Sequence, residues 1–200
     1  MVAKIKERPW PVYKIKVGVD GDMDMVTELR KHTNAIFRVD ANAGWTLEQA
    51  LQKIPVLKTL GVELIEQPLA KEDWEGMKIL FEQSVLPVIA DESCVTEADV
   101  EKCHLHFHGI NIKLTKCSGI TPARRMIARA KELDMKVMIG CMNESSVGTA
   151  AIAQLAPMLD YVDMDGPLLL AEDIAEGVEF DKGKILFNGI PGLGINIQAF

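Results

Sequence analysis

No apolar run in this 200-residue chain approaches the roughly 20 residues that a membrane-spanning helix needs, and the opening MVAKIKERPW lacks the apolar stretch of a signal peptide. A cytoplasmic location is therefore the expectation. Basic charge is also short: 22 Lys and Arg face 29 Asp and Glu, a formal net charge of -7. Nucleic acid and anionic membranes attract basic surfaces, so neither is an expected partner, and a small-molecule substrate is. The four cysteines, Cys94, Cys103, Cys117 and Cys141, show no CxxC spacing and read as reduced thiols rather than as a disulfide or zinc set. No GxGxxG follows the first strand-like segment, which removes the phosphate loop that a doubly wound nucleotide-binding sheet usually supplies.

What is present is a repeat. With 48% hydrophobic and 26% charged residues the chain can bury one sizeable core. Short, mostly β-branched apolar runs recur along it: VYKIKV, AIFRVDA, VELIEQ, LPVIAD, GINIKL, KVMIGC and YVDMDG. They are too short for helices and suit buried strands. Amphipathic helical stretches lie between them. Thr46 with Gln49 makes a capping box, and Thr121 precedes Pro122 at a first-turn position. This alternation predicts right-handed βαβ units around a parallel sheet, with helices outside.

The last polar residues of the first five runs, Lys16, Asp40, Glu66, Asp91 and Lys113, are spaced 24, 26, 25 and 22 residues apart. Glu144 follows the sixth run, and Asp163 and Asp165 end the seventh. In a parallel barrel every C-terminal strand end opens on one face, so these distant residues converge there. Seven strands are counted where a barrel has eight, so the first strand-helix unit is expected to be missing. The turn-rich GVEFDKGKILFNGIPGLGIN is predicted to cover the barrel's end. His104, His106 and His108 would share one face in an extended segment, but they precede a strand at the opposite end and read as a solvated connection.

Three carboxylates at successive strand ends, Asp40, Glu66 and Asp91, form an all-oxygen donor set suited to Mg2+ or Mn2+. Lys14 and Lys16 share a strand face, and Lys113 approaches from across the mouth. Burial and neighbouring cations lower a lysine pKa and make the amine a usable base. Two such lysines on opposite faces of a carbon acid predict racemisation or epimerisation.

At these residues the sequence resembles the muconate-lactonizing subgroup of the enolase superfamily, over essentially all 200 residues. KIK at Lys14 to Lys16 is similar to the family's KxK; VDAN, IEQP and ADES match the metal-ligand motifs, and NIKL matches the motif of the facing lysine. The resemblance implies an α/β fold: the parallel (β/α) TIM-type barrel that is the C-terminal catalytic domain of the enolase fold, here its second to eighth strands and the C-terminal segment over 1–200. The first strand-helix unit and the N-terminal α+β capping domain are expected to be absent. It implies Lys16 and Lys113 as acid and base, and Mg2+ on Asp40, Glu66 and Asp91, with Mn2+ as an alternative. VDMDGPLLL resembles the DxD motif of dipeptide epimerases, which implies that Asp163 and Asp165 hold a substrate ammonium group; Lys14 and Glu144 complete the substrate-binding set. The implied reaction is epimerisation of an L-Ala-D/L-Glu type dipeptide through an enediolate, in cell-wall peptide recycling. Self-association into a homo-oligomer stays open. So do other reactions of the subgroup, namely o-succinylbenzoate synthesis, N-acylamino-acid racemisation and muconate cycloisomerisation, and an inactive truncated barrel.

Overall fold

The computed structural model describes residues 1–198. Among them, seven strands form one sheet in chain order: β1 (Val12–Lys16), β2 (Ile36–Asp40), β3 (Val62–Glu66), β4 (Val88–Ala90), β5 (Gly109–Ile112), β6 (Lys136–Ile139) and β7 (Tyr161–Val162). Every neighbouring pair is parallel. The crossovers are helical: α2 (Asp22–Arg30), α3 (Leu47–Thr59), α4 (Trp74–Gln83), α5 (Asp99–Cys103), α6 (Leu114–Cys117), α7 (Ile120–Glu132) and α8 (Ser146–Ala153), with α1 (Val2–Glu7) ahead of β1. No helix among the described residues is long and apolar enough to cross a membrane.

Strand periodicity sorts the side chains into two layers. Phe37, Val39, Ile65, Val88, Ile110 and Ile112 are fully buried and belong to the main core, beneath the helices. Burying a side chain of this size stabilises by about 1.5–3 kcal/mol. Their neighbours point the other way. Leu64, Ile89 and Met138, with Tyr161 against them, form a second small cluster at the opposite face of the sheet, and the polar strand-end residues continue that face.

The sheet is curled. Six steps of about 4.8 Å would hold the ends of a flat seven-stranded sheet ~29 Å apart. Instead Lys14 of β1 is 3.0 Å from Asp163 just beyond β7, and Arg38 of β2 donates to the Val162 carbonyl at 3.1 Å. Among the described residues no ladder joins β1 to β7.

Thr46 caps α3 through a complete capping box with Gln49. Thr121 does not cap α7: the helix begins at Ile120, Gly119 takes the cap position at a positive φ of 110°, and Pro122 falls third. The histidine segment is not extended. α5 runs directly into a turn with Leu105 at φ 63°, so His106 meets the edge of Trp74 while His108 packs on Phe81. The C-terminal stretch adds no further strand-helix unit among the described residues. It makes two small antiparallel pairs, Glu179–Asp181 with Lys184–Leu186 and Ala175–Glu176 with Asn196–Ile197. All four cysteines are free.

Candidate active site

The strand ends gather the predicted residues on one face of the curled sheet. Asp40 and Glu66 close β2 and β3, Asp91 follows β4 by one residue, and all three are essentially inaccessible, at 0%, 0% and 1% exposure. Lys14 joins the first two to Asp163, with its ammonium 2.8 Å from Glu66, 3.2 Å from Asp40 and 3.0 Å from Asp163. Lys16 reaches the same Asp40 from the strand tip, donating at 2.5 Å, and remains the most exposed of the group. On the far side Lys113, buried at the end of β5, donates to Asp91 Oδ2 at 2.5 Å. Seven of the nine sequence-predicted residues thus belong to one lysine-carboxylate constellation.

The other two make no ion pair with those lysines, although Asp165 adjoins Asp163. Asp165 is exposed and accepts a weak contact from Cys141 Sγ at 3.5 Å. Glu144 is buried in the connection between β6 and α8 and accepts from the Met142 N–H at 3.2 Å. It borders an open groove of about 440 Å³, whose other walls include Leu114, Ile120, Val147 and Ala151.

Four contributors escape the sequence pattern used above. Asn111, fully buried, donates to Glu66 Oε1 at 2.8 Å. It lies two residues before Lys113, so the same period-2 rule could have found it. Lys116 takes the second oxygen of Asp91 at 2.8 Å, one helical turn beyond Lys113. Cys141 lies with Asp163 and Asp165 in a group whose candidate ligand atoms are all within 4.8 Å. Gln67 follows Glu66 in a backbone conformation, φ 34°, that no residue pattern announces.

Electrostatics correct one expectation. Burial works to lower the pKa of Lys14, yet the attraction of Glu66, Asp163 and Asp40 outweighs it and holds the amine well above the usual lysine range. Lys113 is also raised: burial lowers it, and the hydrogen bond and charge of Asp91 more than compensate. In this arrangement both lysines serve as counterions to the carboxylates. Glu66 is pushed up to about 7, chiefly by burial, with Lys14 opposing and Asp40 adding to the rise. Asp40 is held low, because Lys14 and Lys16 overcome its burial.

The donor set fits a hard divalent cation. Asp40, Glu66 and Asp91 offer only oxygen and are closed to water, and the buried Glu66 Oε2 has only the ion pair with Lys14, at 2.8 Å, to satisfy it.

The family model described as enolase C-terminal domain-like matches residues 1–199. The chain belongs to that family. An L-Ala-D/L-amino acid epimerase of a Maribacter species is 60% identical over 199 residues, 99% of this chain and 59% of that protein. The substrate-liganded L-Ala-D/L-Glu epimerase from Bacillus subtilis superposes with a TM-score of 0.92 at 32% identity, covering 100% of this chain and 59% of the other. A dipeptide epimerase from Cytophaga hutchinsonii, complexed with Mg and D-Ala-L-Val, gives 0.91 at 28% identity, covering 98% and 56%. The parallel curled sheet is thus the enolase-family barrel domain, and the chain spans under two thirds of the length of these relatives.

Proposed function

We propose that the chain is the barrel part of a Mg2+-dependent dipeptide epimerase, comprising the second to eighth strands of that barrel. The observation that carries this reading is the position of Asp163. Lys14 stands 2.8 Å from Glu66 and 3.0 Å from Asp163, so the two carboxylates are no more than about 6 Å apart, within the ~7 Å reach of two extended residues. A dipeptide can therefore lie with its terminal carboxylate toward Asp40, Glu66 and Asp91 and its ammonium group toward Asp163 and Asp165. Two carboxylates offer that ammonium charge-assisted hydrogen bonds. Relatives named as dipeptide epimerases support the same substrate class.

Mg2+ held by Asp40, Glu66 and Asp91, with Mn2+ as a substitute, would supply positive charge against the charge that develops on the substrate carboxylate as an enediolate forms. The remaining work belongs to the chain. Lys16 and Lys113 come from β1 and β5, on opposite sides of the carboxylates, so one amine takes the α-proton and the other ammonium delivers a proton to the opposite face. Lys14 adds fixed positive charge between them and orders the carboxylates. Glu144 provides a polar edge to the groove that would receive the second side chain. Peptide recycling in the cytoplasm is the setting this chemistry suits.

The test is α-proton exchange by NMR in deuterated water, with L-Ala-L-Glu and Mg2+, for this chain and for a version extended to its relatives' length. Exchange at the C-terminal residue with build-up of the L,D diastereomer, abolished by chelator, is the expected result. Folded protein that binds Mg2+ and gives no exchange in either length would overturn the dipeptide reading.

A further inference from the structure

Gln67 makes every hydrogen bond its amide can make, and makes them between loops rather than within one. Its Oε1 accepts from the backbone N–H groups of Asp91 at 3.0 Å and Ser93 at 3.1 Å. Its Nε2 donates to the Leu69 carbonyl at 3.0 Å and to Ser93 Oγ at 2.9 Å. The main chain of the same residue continues the pattern. Gln67 N–H donates to the Ile89 carbonyl at 2.9 Å, and its carbonyl accepts from Ala43 N–H at 2.8 Å. One fully buried residue therefore joins the loops that follow Asp40, Glu66 and Asp91. It does so at φ 34°, a left-handed conformation that a non-glycine residue keeps only where its surroundings over-determine it. Asn42 and Ala43, just past Asp40, share that region at φ 44° and 59°.

We infer that Gln67 is the positioning residue of the cation site, setting the spacing of the three carboxylates and through it the preference for a small octahedral ion. This rests on the reading of Asp40, Glu66 and Asp91 as ligands. Mg2+ needs oxygens at about 2.0–2.1 Å in near-ideal geometry, whereas Ca2+ accepts irregular shells at 2.3–2.6 Å. A clamp that fixes strand ends matters to the first ion far more than to the second. A residue contributing only to folding would weaken both alike.

The measurement is calorimetric titration of Mg2+ and Ca2+ into wild type, Gln67→Met and Ser93→Ala, with the urea midpoint of each recorded. Met matches the length of Gln and removes all four side-chain bonds; Ser93→Ala removes only the hydroxyl bond to Nε2. The expected result is Mg2+ binding weakened by about 10–100-fold in Gln67→Met, with Ca2+ binding changed less and a smaller shift of the same sense in Ser93→Ala. Equal loss for both ions, or no loss for either, overturns the inference. Should Gln67→Met not fold, Ser93→Ala decides: an unchanged Mg2+ to Ca2+ ratio overturns it. Wild type that binds no Mg2+ would defeat the ligand reading itself, and the inference with it, whereas wild-type binding with indifferent variants defeats this inference alone.

Discussion

At the scale of single residues, the proposed dipeptide chemistry rests on the aspartate pair, which the other reactions of the family would not require. Asp163 shares Lys14 with Asp40 and Glu66, and a substrate without a free ammonium group has no use for it. Asp163→Asn keeps the shape and removes the charge. Loss of one charged hydrogen bond, about 1.5–3 kcal/mol, corresponds to a roughly 10–100-fold fall in kcat/KM for L-Ala-L-Glu. Initial rates on the free and the N-acetylated dipeptide check this, since an equal fall on both would make the aspartate structural. The acids and lysines were legible because strand period and barrel topology jointly aim them at one mouth. Gln67 was not. A residue adjacent to Glu66 on a regular strand points to the other face, and only its left-handed backbone turns it inward between the loops. The expected lowering of a lysine pKa is not found at Lys113 for a related reason: the pattern counts neighbouring cations, whereas Asp91 lies directly against this amine.

Among the elements, α3 shows how far local signals reach. Its capping box is complete, as Thr46 and Gln49 indicate, yet the helix also runs through Pro55. That residue is exposed, so nothing in the core requires it, and its ring removes a backbone donor from the ninth helical position. Pro55→Ala restores the donor and is expected to raise stability by about 1–3 kcal/mol, read as a higher urea midpoint with an unchanged slope. The α5–β5 connection, read as a solvated one, does not take the extended form that would align its histidines, because a five-residue helix runs into a left-handed Leu105. Its structural work is done by His108, whose Nδ1 accepts the Val88 N–H at 3.1 Å and whose own N–H donates back to the Val88 carbonyl at 2.8 Å. Burial lowers the pKa of His108. The unfolded chain therefore binds this proton first, and the stability present above the unfolded value of about 6.5 is lost as pH falls from there through the lower folded value. His108→Gln keeps an acceptor that does not titrate. Its urea midpoint should drop less than that of wild type between pH 7 and 5, and parallel curves would refute the role.

For the molecule as a whole, the decisive property is curl, since only a curled sheet brings Lys14 to Asp163. Hydrogen-bonded ladders alone leave β7 attached along one edge, to β6, through two residue pairs among the described residues. What draws it toward β1 and β2 crosses the barrel interior. Arg38 is the main device there: its guanidinium pairs with Glu63 at 2.7 Å, donates to the Val162 carbonyl at 3.1 Å and lies 4.9 Å over the Tyr161 ring. Arg38 is mostly buried, so these contacts are little screened by solvent. Arg38→Met preserves the stem and loses the fork, at an expected cost of roughly 1.5–3 kcal/mol. The cost should also be localised. Asp163 N–H donates to the Ile139 carbonyl and Asp160 N–H to that of Val137, so these amides report whether β7 stays docked. Hydrogen exchange should speed at Asp160 to Asp163 in Arg38→Met while the β2–β3 amides keep their protection relative to global stability. Uniform acceleration across the sheet would mean that Arg38 contributes to stability without shaping the barrel. The curl would then follow from strand twist and helix packing, and the approach of Asp163 to Lys14 would not depend on it.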